Sequence, residues 1–213
     1  VAGDSGVAHW VDGVWRRATA GLGSTTLRRL IRVAMPDGAP KLYASAADGV
    51  WQWRAGRWDR LKVPVLADVT DLVQVIDPDG SPSLWVASEG GQVWLVRGDS
   101  AVGTIPGTDP VGRARVVDLS VQTLPGGGRR LWAATTGLGG LKYRDLDAEQ
   151  PAWQLIGEEL LDAMPSDFVR DLALGPDGRV YAATPRGLVQ LRVLADGEMA
   201  LETVYGTDDG LPS

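Results

Sequence analysis

The chain has 213 residues, a net charge of −6, nine Trp, one His and no Cys. The absence of cysteine excludes disulfides, thiol chemistry and cysteine-ligated zinc, and a lone histidine has no partner for a catalytic pair. No block rich in Lys and Arg is present, so nucleic acid is not an expected partner. No apolar run reaches the length of a membrane-spanning helix.

The first 19 residues match the rear half of a unit that is repeated later in the chain. "GVAHW" at 6–10 matches "GVWQW" at 49–53, and "GVWRRA" at 13–18 matches "GRWDRL" at 56–61, both at an offset of 43 residues. Short runs rich in Val and Trp, bounded by Gly and Asp, are typical of strands joined by tight turns. We therefore predict part of a β-sheet at residues 1–19.

Four longer units follow, and each opens with an apolar run that ends at a turn containing proline. The turn prolines are 42, 47 and 51 residues apart, and an aromatic residue follows each of them. The turn prolines are Pro36, Pro78, Pro125 and Pro176, and the aromatic residues are Tyr43, Trp85, Trp132 and Tyr181. A period of roughly 40–50 residues is typical of propeller blades and other repeat arrays.

Each unit contains four short apolar runs, which predict four strands, and four strands repeated at this spacing predict an all-β fold, a β-propeller. The predicted blades cover residues 24–63, 68–106, 114–157 and 167–205, between a rear half-blade at 1–19 and a leader at 206–213. A helical pattern at 157–164, "GEELLDAM", predicts a turn or two of helix inside a loop.

The two ends of the chain both suggest an incomplete ring. The leader "DGLPS" at 209–213 matches "DAMPS" at 162–166, which precedes an inner strand, and the first half-blade lacks its own inner strand. Natural proteins avoid exposed strand edges. We therefore expect a fragment of a longer polypeptide, or a ring that is open or closed through another chain.

The ordered unit resembles the two-component regulator propeller repeat. The resemblance is carried by "DGLPS" at 209–213, "FVRDLALGPDGRVYAATPRGLVQL" at 168–191 and "LWAATTGLGGLKY" at 131–143, with Ala-Thr or Ala-Ser where the family usually has Gly-Thr. It implies the periplasmic or extracellular sensor region of a bacterial receptor whose inner module is a histidine kinase or a diguanylate cyclase. The membrane would then be reached only through parts outside this chain.

The loops between the second and third predicted strands differ most between units. Equivalent loops of a propeller lie on one rim, and loops on a rigid scaffold often carry function. Trp51 and Trp94 share a repeat position where other units have smaller or charged residues, which makes them candidates for an exposed binding face. The predicted ligand-binding residues are Asp48, Glu89, Thr136, Arg186, Trp51 and Trp94.

Other patterns favour structural roles over sites. The repeated aromatic position favours packing of one blade on the next over a carbohydrate platform. Asp71, Asp118 and Asp171 share a position near the start of the inner strand, where bonds to backbone amides are favoured over a bound cation. "DPDG" at 77–80 lacks the distal glutamate of a calcium loop and predicts a turn. No catalytic residue, metal or cofactor is expected.

Three functions remain open at this stage. The favoured one is a non-enzymatic sensor that binds a small molecule or a glycan, with self-association of propeller domains. A propeller lyase or glycosidase acting on polysaccharide is the second, but it would need clustered His, Tyr, Arg or carboxylates near the ring centre. The third is a pure protein-interaction scaffold without a small ligand.

Overall fold

The structure is a computed structural model. It describes residues 2–3, 6–23, 26–62, 68–98, 100–104, 114–137, 140–175 and 177–212. The turn proline Pro176 and the predicted blade limits at residues 24, 63 and 106 lie outside this part of the chain. Two compact units are formed. Unit 1 consists of residues 1–89 with 93–105, and unit 2 of residues 90–92 with 106–213.

Unit 1 contains three antiparallel sheets, in each of which strands that follow one another in the chain are neighbours. The first has three strands, β1 (Ala2–Gly3), β2 (Gly6–Val11) and β3 (Val14–Arg17). The second has β4 (Leu27–Val33), β5 (Lys41–Ala46), β6 (Gly49–Arg54) and β7 (Arg57–Arg60). The third has β8 (Val69–Ile76), β9 (Pro82–Ser88), β10 (Val93–Arg97) and β11 (Ser100–Thr104).

Unit 2 contains two antiparallel sheets of four strands, again in chain order. One has β12 (Val116–Thr123), β13 (Arg129–Thr135), β14 (Leu141–Asp145) and β15 (Trp153–Leu155). The other has β16 (Asp171–Leu174), β17 (Arg179–Thr184), β18 (Gly187–Val193) and β19 (Met199–Tyr205). Helix α1 (Glu158–Ala163) connects them, which confirms the predicted helical turns, and a 3-10 turn follows at Thr207–Asp209.

The prediction of an all-β chain is confirmed, and the repeated sheets with strands in chain order fit a β-propeller-like fold. In the first sheet, Ala2 and Gly3 pair with Val7 and Gly6 as a two-residue strand, at the place of the second strand of a blade. Among the described residues, no helix is long and apolar enough to cross a membrane.

Two hairpins in unit 1 share the same tight turn. Asp12 and Gly13 join β2 to β3 with φ angles of 51° and 79°, and Ala55 and Gly56 join β6 to β7 with φ angles of 45° and 84°. A two-residue turn with positive φ at both positions matches the right-handed twist of the strands it connects. The repeat therefore preserves a backbone conformation as well as a sequence pattern.

Two of the four repeated aromatic residues lie between neighbouring sheets of the same unit. Tyr43, which is 4% exposed, belongs to a cluster with Leu72 of β8 and Val86 of β9. Trp132 of β13 has no exposed surface and belongs to a cluster with Val180 of β17. The packing role predicted for this position is confirmed at these two residues. The fourth member, Tyr181, is only half-buried.

On the inner strands β8 and β12, a glutamine side chain bonds the sheet to its neighbour. In unit 1 the Gln74 side-chain amide donates to the Ala34 carbonyl at 2.9 Å, and its oxygen accepts from the Ala34 N–H at 3.1 Å. In unit 2 Gln122 accepts from the Trp132 indole N–H at 2.9 Å and donates to the Gly178 carbonyl. These bonds satisfy backbone groups at turns that the antiparallel ladders leave unpaired.

The segment "DPDG" forms the predicted turn. The Gly80 N–H donates to the Asp77 carbonyl at 2.9 Å, and Asp79 accepts from the hydroxyl and the N–H of Ser81. These bonds, the hydroxyl first, hold the pKa of Asp79 below its usual value. The carboxylate is therefore satisfied within the turn.

Replacing Trp132 tests the packing between the sheets of unit 2. We expect Trp132→Ala to lower the free energy of unfolding by about 3–5 kcal/mol, because it leaves a cavity in a closed core. Trp15→Ala is the matched control. Trp15 is largely exposed, so its loss should cost at most about 1 kcal/mol. Urea denaturation of both variants measures the difference, and equal losses would contradict the packing role.

Candidate functional site

The rim loops of unit 1 are linked through their backbones. The Asp68 N–H donates to the Ala47 carbonyl at 2.6 Å, and the Glu89 N–H donates to the Asp68 carbonyl at 3.0 Å. Asp68 itself has a φ angle of 52°. The turn after β5, the entry to β8 and the turn after β9 therefore meet at one end of two adjacent sheets. We call these loops, together with the start of β4, the unit 1 rim.

Asp48 and Trp51 are the two predicted site residues that the structure brings into direct contact. The Trp51 indole N–H donates to an Asp48 carboxylate oxygen at 3.0 Å. Trp51 is only 7% exposed and lies in a core cluster with Trp58, so the expectation that it lies on an exposed face is wrong. A Cβ at Gly23 would come within 2.8 Å of Asp48 and 3.1 Å of the Trp51 ring, so the backbone there closes over them.

Two consecutive arginines of β4 pair with carboxylates of the adjacent sheet. Arg28 lies 2.8 Å from Glu89, and both side chains are partly exposed. Arg29 lies 3.1 Å from Asp71, whose side chain is almost completely buried. Arg29 occupies the repeat position at which three other units carry aspartate. Its guanidinium group neutralises the charge of Asp71 on the neighbouring sheet. The rim thus presents guanidinium and carboxylate groups side by side.

Two of the repeated aspartates bond to one backbone amide. Asp118 accepts from the Leu172 N–H at 2.9 Å, and Asp171 accepts from the same N–H at 3.1 Å, which confirms the predicted bonds to backbone amides. Asp71 differs because an arginine compensates its charge. Across the described part of the chain, no group of three or more His, Asp or Glu residues is arranged to hold a metal ion.

Trp94 is a strand residue of unit 1, not a loop residue. It stands on β10, where it pairs with Val86 and Thr104, and it is half-buried against the cluster that contains Val33 and Leu84. Its environment is that of a packing residue at the margin of a core. A ligand contact at Trp94 stays a prediction.

The two predicted residues of unit 2 lie in different surroundings. Thr136 is half-buried, its N–H donates to the Arg115 carbonyl at 3.0 Å, and it forms a β-bridge with Phe168. Arg186 is exposed at a pocket of about 340 Å³ whose walls include Leu188 and Leu211. Binding at either residue stays a prediction.

Sequence reasoning found Asp48 and Glu89 but missed Arg28, Arg29 and Asp68. One signal was present, since Arg29 breaks a repeat position otherwise held by aspartate. Arg28 has no such signal, because its pairing with Glu89 depends on the stacking of two sheets whose residues are far apart in the chain.

Neither a protein-family model nor a curated protein matches the chain. Solved structures share its fold at low sequence identity. PorZ, a surface component of the type-IX secretion system of Porphyromonas gingivalis, matches with a TM-score of 0.59 and 14% identity over 97% of this chain and 32% of PorZ.

Two extracellular domains from B. thetaiotaomicron are also similar. One, assigned to a hybrid two-component system, has a TM-score of 0.57 and 16% identity over 83% of this chain and 25% of that domain. The other, assigned to a one-component system, has a TM-score of 0.54 and 15% identity over 80% of this chain and 22% of that domain. The chain thus spans about a quarter of the length of these two domains, and the likeness concerns the fold.

Variants of Asp48 test how the rim is held in place. Asp48→Ala removes the acceptor of a buried indole N–H, so we expect it to lower the free energy of unfolding by about 1 kcal/mol or somewhat more. Asp48→Asn keeps a carbonyl oxygen at the same place and should cost less than half of that. Denaturant unfolding compares the two, and an equal loss in both would show that the indole bond does not stabilise the rim.

Proposed function

We propose that this chain is part of a ligand-sensing or interaction β-propeller in a bacterial transmembrane signalling receptor. The receptor belongs to the two-component or cyclic-di-GMP class, and this segment lies in the periplasm or outside the cell and has no enzymatic role. The fold that the chain shares with extracellular domains assigned to one-component and hybrid two-component systems supports the proposal. The observation that carries it is the unit 1 rim, where turns of adjacent sheets converge on exposed polar side chains.

The proposed architecture is four complete four-stranded blades and a partial blade, which form a fragment or an incomplete ring. The four sheets with strands in chain order support the complete blades, and the short sheet of β1 to β3 supports the partial one. Because each such sheet is apolar on its faces, neighbours must cover it. The loops at one end of such sheets are available for ligand recognition.

A polar small molecule or a glycan suits the unit 1 rim best. Arg28 supplies N–H donors that fan out in one plane, while Glu89, Asp48 and the exposed Asp68 supply acceptor oxygens. Opposite charges in direct contact leave little net field, which disfavours a strongly charged ligand. Hydroxyl groups, which both donate and accept, can bond to such alternating partners without leaving a buried charge unpaired.

Signalling requires more than binding. A ligand shifts a receptor only if it binds one arrangement of the sensor region more tightly than another. We propose that the second arrangement is an association of propeller segments with one another. Ligand bound at the rim then changes the balance between associated and separate copies, and the output domain beyond the membrane responds to that balance.

Thermal unfolding with a panel of oligosaccharides, amino acids and short peptides tests the ligand proposal. A ligand at 100 times its Kd adds about 2.7 kcal/mol to the stability of the folded state, which raises Tm by several degrees. The same panel is incubated and assayed for new reducing ends. A ligand that raises Tm without being cleaved supports the sensor, and cleavage of any polysaccharide would favour a lyase or glycosidase instead.

Two matched variants locate the binding. Arg28→Ala should reduce the rise in Tm at a fixed ligand concentration, because it removes donors from the rim. Arg97→Ala is the control, since Arg97 pairs with Asp77 at the same distance of 2.8 Å but at the opposite end of β9. A rise that both variants retain, or no rise with any member of the panel, would overturn binding at the rim.

A further inference from the structure

Two tryptophans of the β2–β3 hairpin are exposed to a degree that is unusual for their size. Trp10 is 58% and Trp15 57% exposed, and their rings meet edge to face with centroids 5.4 Å apart. Val11 and Val14 are also exposed, but they lie on the opposite side of the hairpin. Large aromatic side chains exposed together on a folded surface mark an interaction site more often than chance exposure. We call the two tryptophan side chains the Trp10–Trp15 face.

The same chain contains a second copy of this hairpin in which the face is covered. Trp53 and Trp58 occupy the equivalent positions on β6 and β7, with centroids 5.3 Å apart and nearly the same angle between the rings. Trp58 is only 1% exposed, because residues 18–22 lie across it. The Trp58 indole N–H donates to the Ala18 carbonyl at 2.6 Å, and its backbone N–H donates to the Ala20 carbonyl at 2.7 Å.

A glycine makes this close approach possible. Gly21 has a φ angle of 89°, and a Cβ there would collide with the Trp58 carbonyl oxygen. The covering segment therefore has three features: two carbonyls in place for the tryptophan, a glycine in the left-handed region next to it, and a leucine after the glycine. These features describe what an occupant of the Trp10–Trp15 face must provide.

On β3, the backbone N–H and carbonyl groups of Trp15 point outward, where such a segment can bond to them. Trp10 and Trp15 face each other in the ladder, as Trp53 and Trp58 do, and each hairpin has a two-residue turn. Counted from the turn, both pairs fall at a position without hydrogen bonds inside the hairpin, so the Trp15 N–H and carbonyl point away from β2. β3 is the outer strand of its sheet, and an edge of this kind accepts an added extended segment.

Another exposed segment of the chain has the same glycine and leucine, in a 3-10 turn. "TDDGL" at 207–211 aligns with "ATAGL" at 18–22, and Gly210 has a φ angle of 92°, close to the 89° of Gly21. Thr207, Asp208, Asp209 and Gly210 are all exposed. The two aspartates have a counterpart at the Trp10–Trp15 face, where Arg16 and Arg17 follow Trp15 and are exposed as well.

We propose that residues 207–211 of one copy dock on the Trp10–Trp15 face of a second copy, in the way that residues 18–22 cover Trp58. The Asp209 carbonyl accepts from the Trp15 backbone N–H, and the Thr207 carbonyl, which also accepts from the Gly210 N–H, accepts from the Trp15 indole N–H. Gly210 lies next to the Trp15 carbonyl, and Asp208 and Asp209 pair with Arg16 and Arg17. The contact joins different surfaces of the two copies, so it is directional and repeats head to tail. It specifies how the self-association in the proposed function takes place.

A charge exchange tests the contact on the full chain. Wild-type protein should associate in a concentration-dependent manner in sedimentation velocity, and more weakly at high salt because the charged groups are exposed. Arg16→Glu with Arg17→Glu should weaken association at least tenfold, and so should Asp208→Lys with Asp209→Lys. An equimolar mixture of these two double variants should associate again, because each mixed contact then joins opposite charges.

Three controls separate this contact from other causes. Trp15→Ala should abolish association, while Arg57→Glu with Arg60→Glu, which reverses the same charge on the covered hairpin, should leave it unchanged. Circular dichroism of every variant checks the fold.

A wild-type protein that stays monomeric at its highest soluble concentration, or a mixture that fails to associate, would overturn the proposal. Because the rim residues are untouched, a ligand-induced rise in Tm that persists in these variants would leave the sensor function standing.

Discussion

The burial of both faces of the central strands β9 and β13 is the constraint on which this structure depends. In β9 and β13 every residue after the first is buried, although successive side chains of a strand point to opposite faces. A sheet with two apolar faces cannot be stable alone, because one layer of side chains covers only one of them. Stacking of similar sheets meets this demand, and the period of the sequence reflects it.

The position of the candidate site follows from this stacking. Once sheets lie side by side, the turns at one end of each are brought next to those of its neighbour, and backbone bonds through Asp68 hold them there. The side chains on these turns do not have to fill a core, so they can be charged. Arg28 and Arg29, at the start of β4, are charged in this way. They pair with Glu89 and Asp71 of the adjacent sheet.

Much of the fold could be predicted from the sequence because strand length, turn residues and aromatic spacing are local signals. The burial of Trp51 escaped prediction, because it depends on the main chain at Gly23, which is distant in sequence. Local patterns do not indicate which distant segment covers a side chain.

The two tryptophan hairpins illustrate the same limit. "GVAHW" and "GVWQW" predict the same strand, and the structure gives both the same ring geometry. Only one pair is buried, because residues 18–22 cross Trp58 and no described segment crosses Trp15. Exposure is therefore a property of tertiary context, and the comparison of two similar hairpins shows that the face of one of them is not covered by a described segment.

Amide hydrogen exchange of Trp132→Ala tests most directly whether the sheets stabilise each other. Trp132 lies on β13, but its cluster includes Val180 of β17 and Leu191 of β18. If stacking holds the repeats together, the loss of this ring should increase exchange in β17 and β18 as much as in β13, while β4 to β7 in unit 1 keep their protection. An increase confined to β13 and its ladder partners would contradict the account, since each sheet would then be stable by itself.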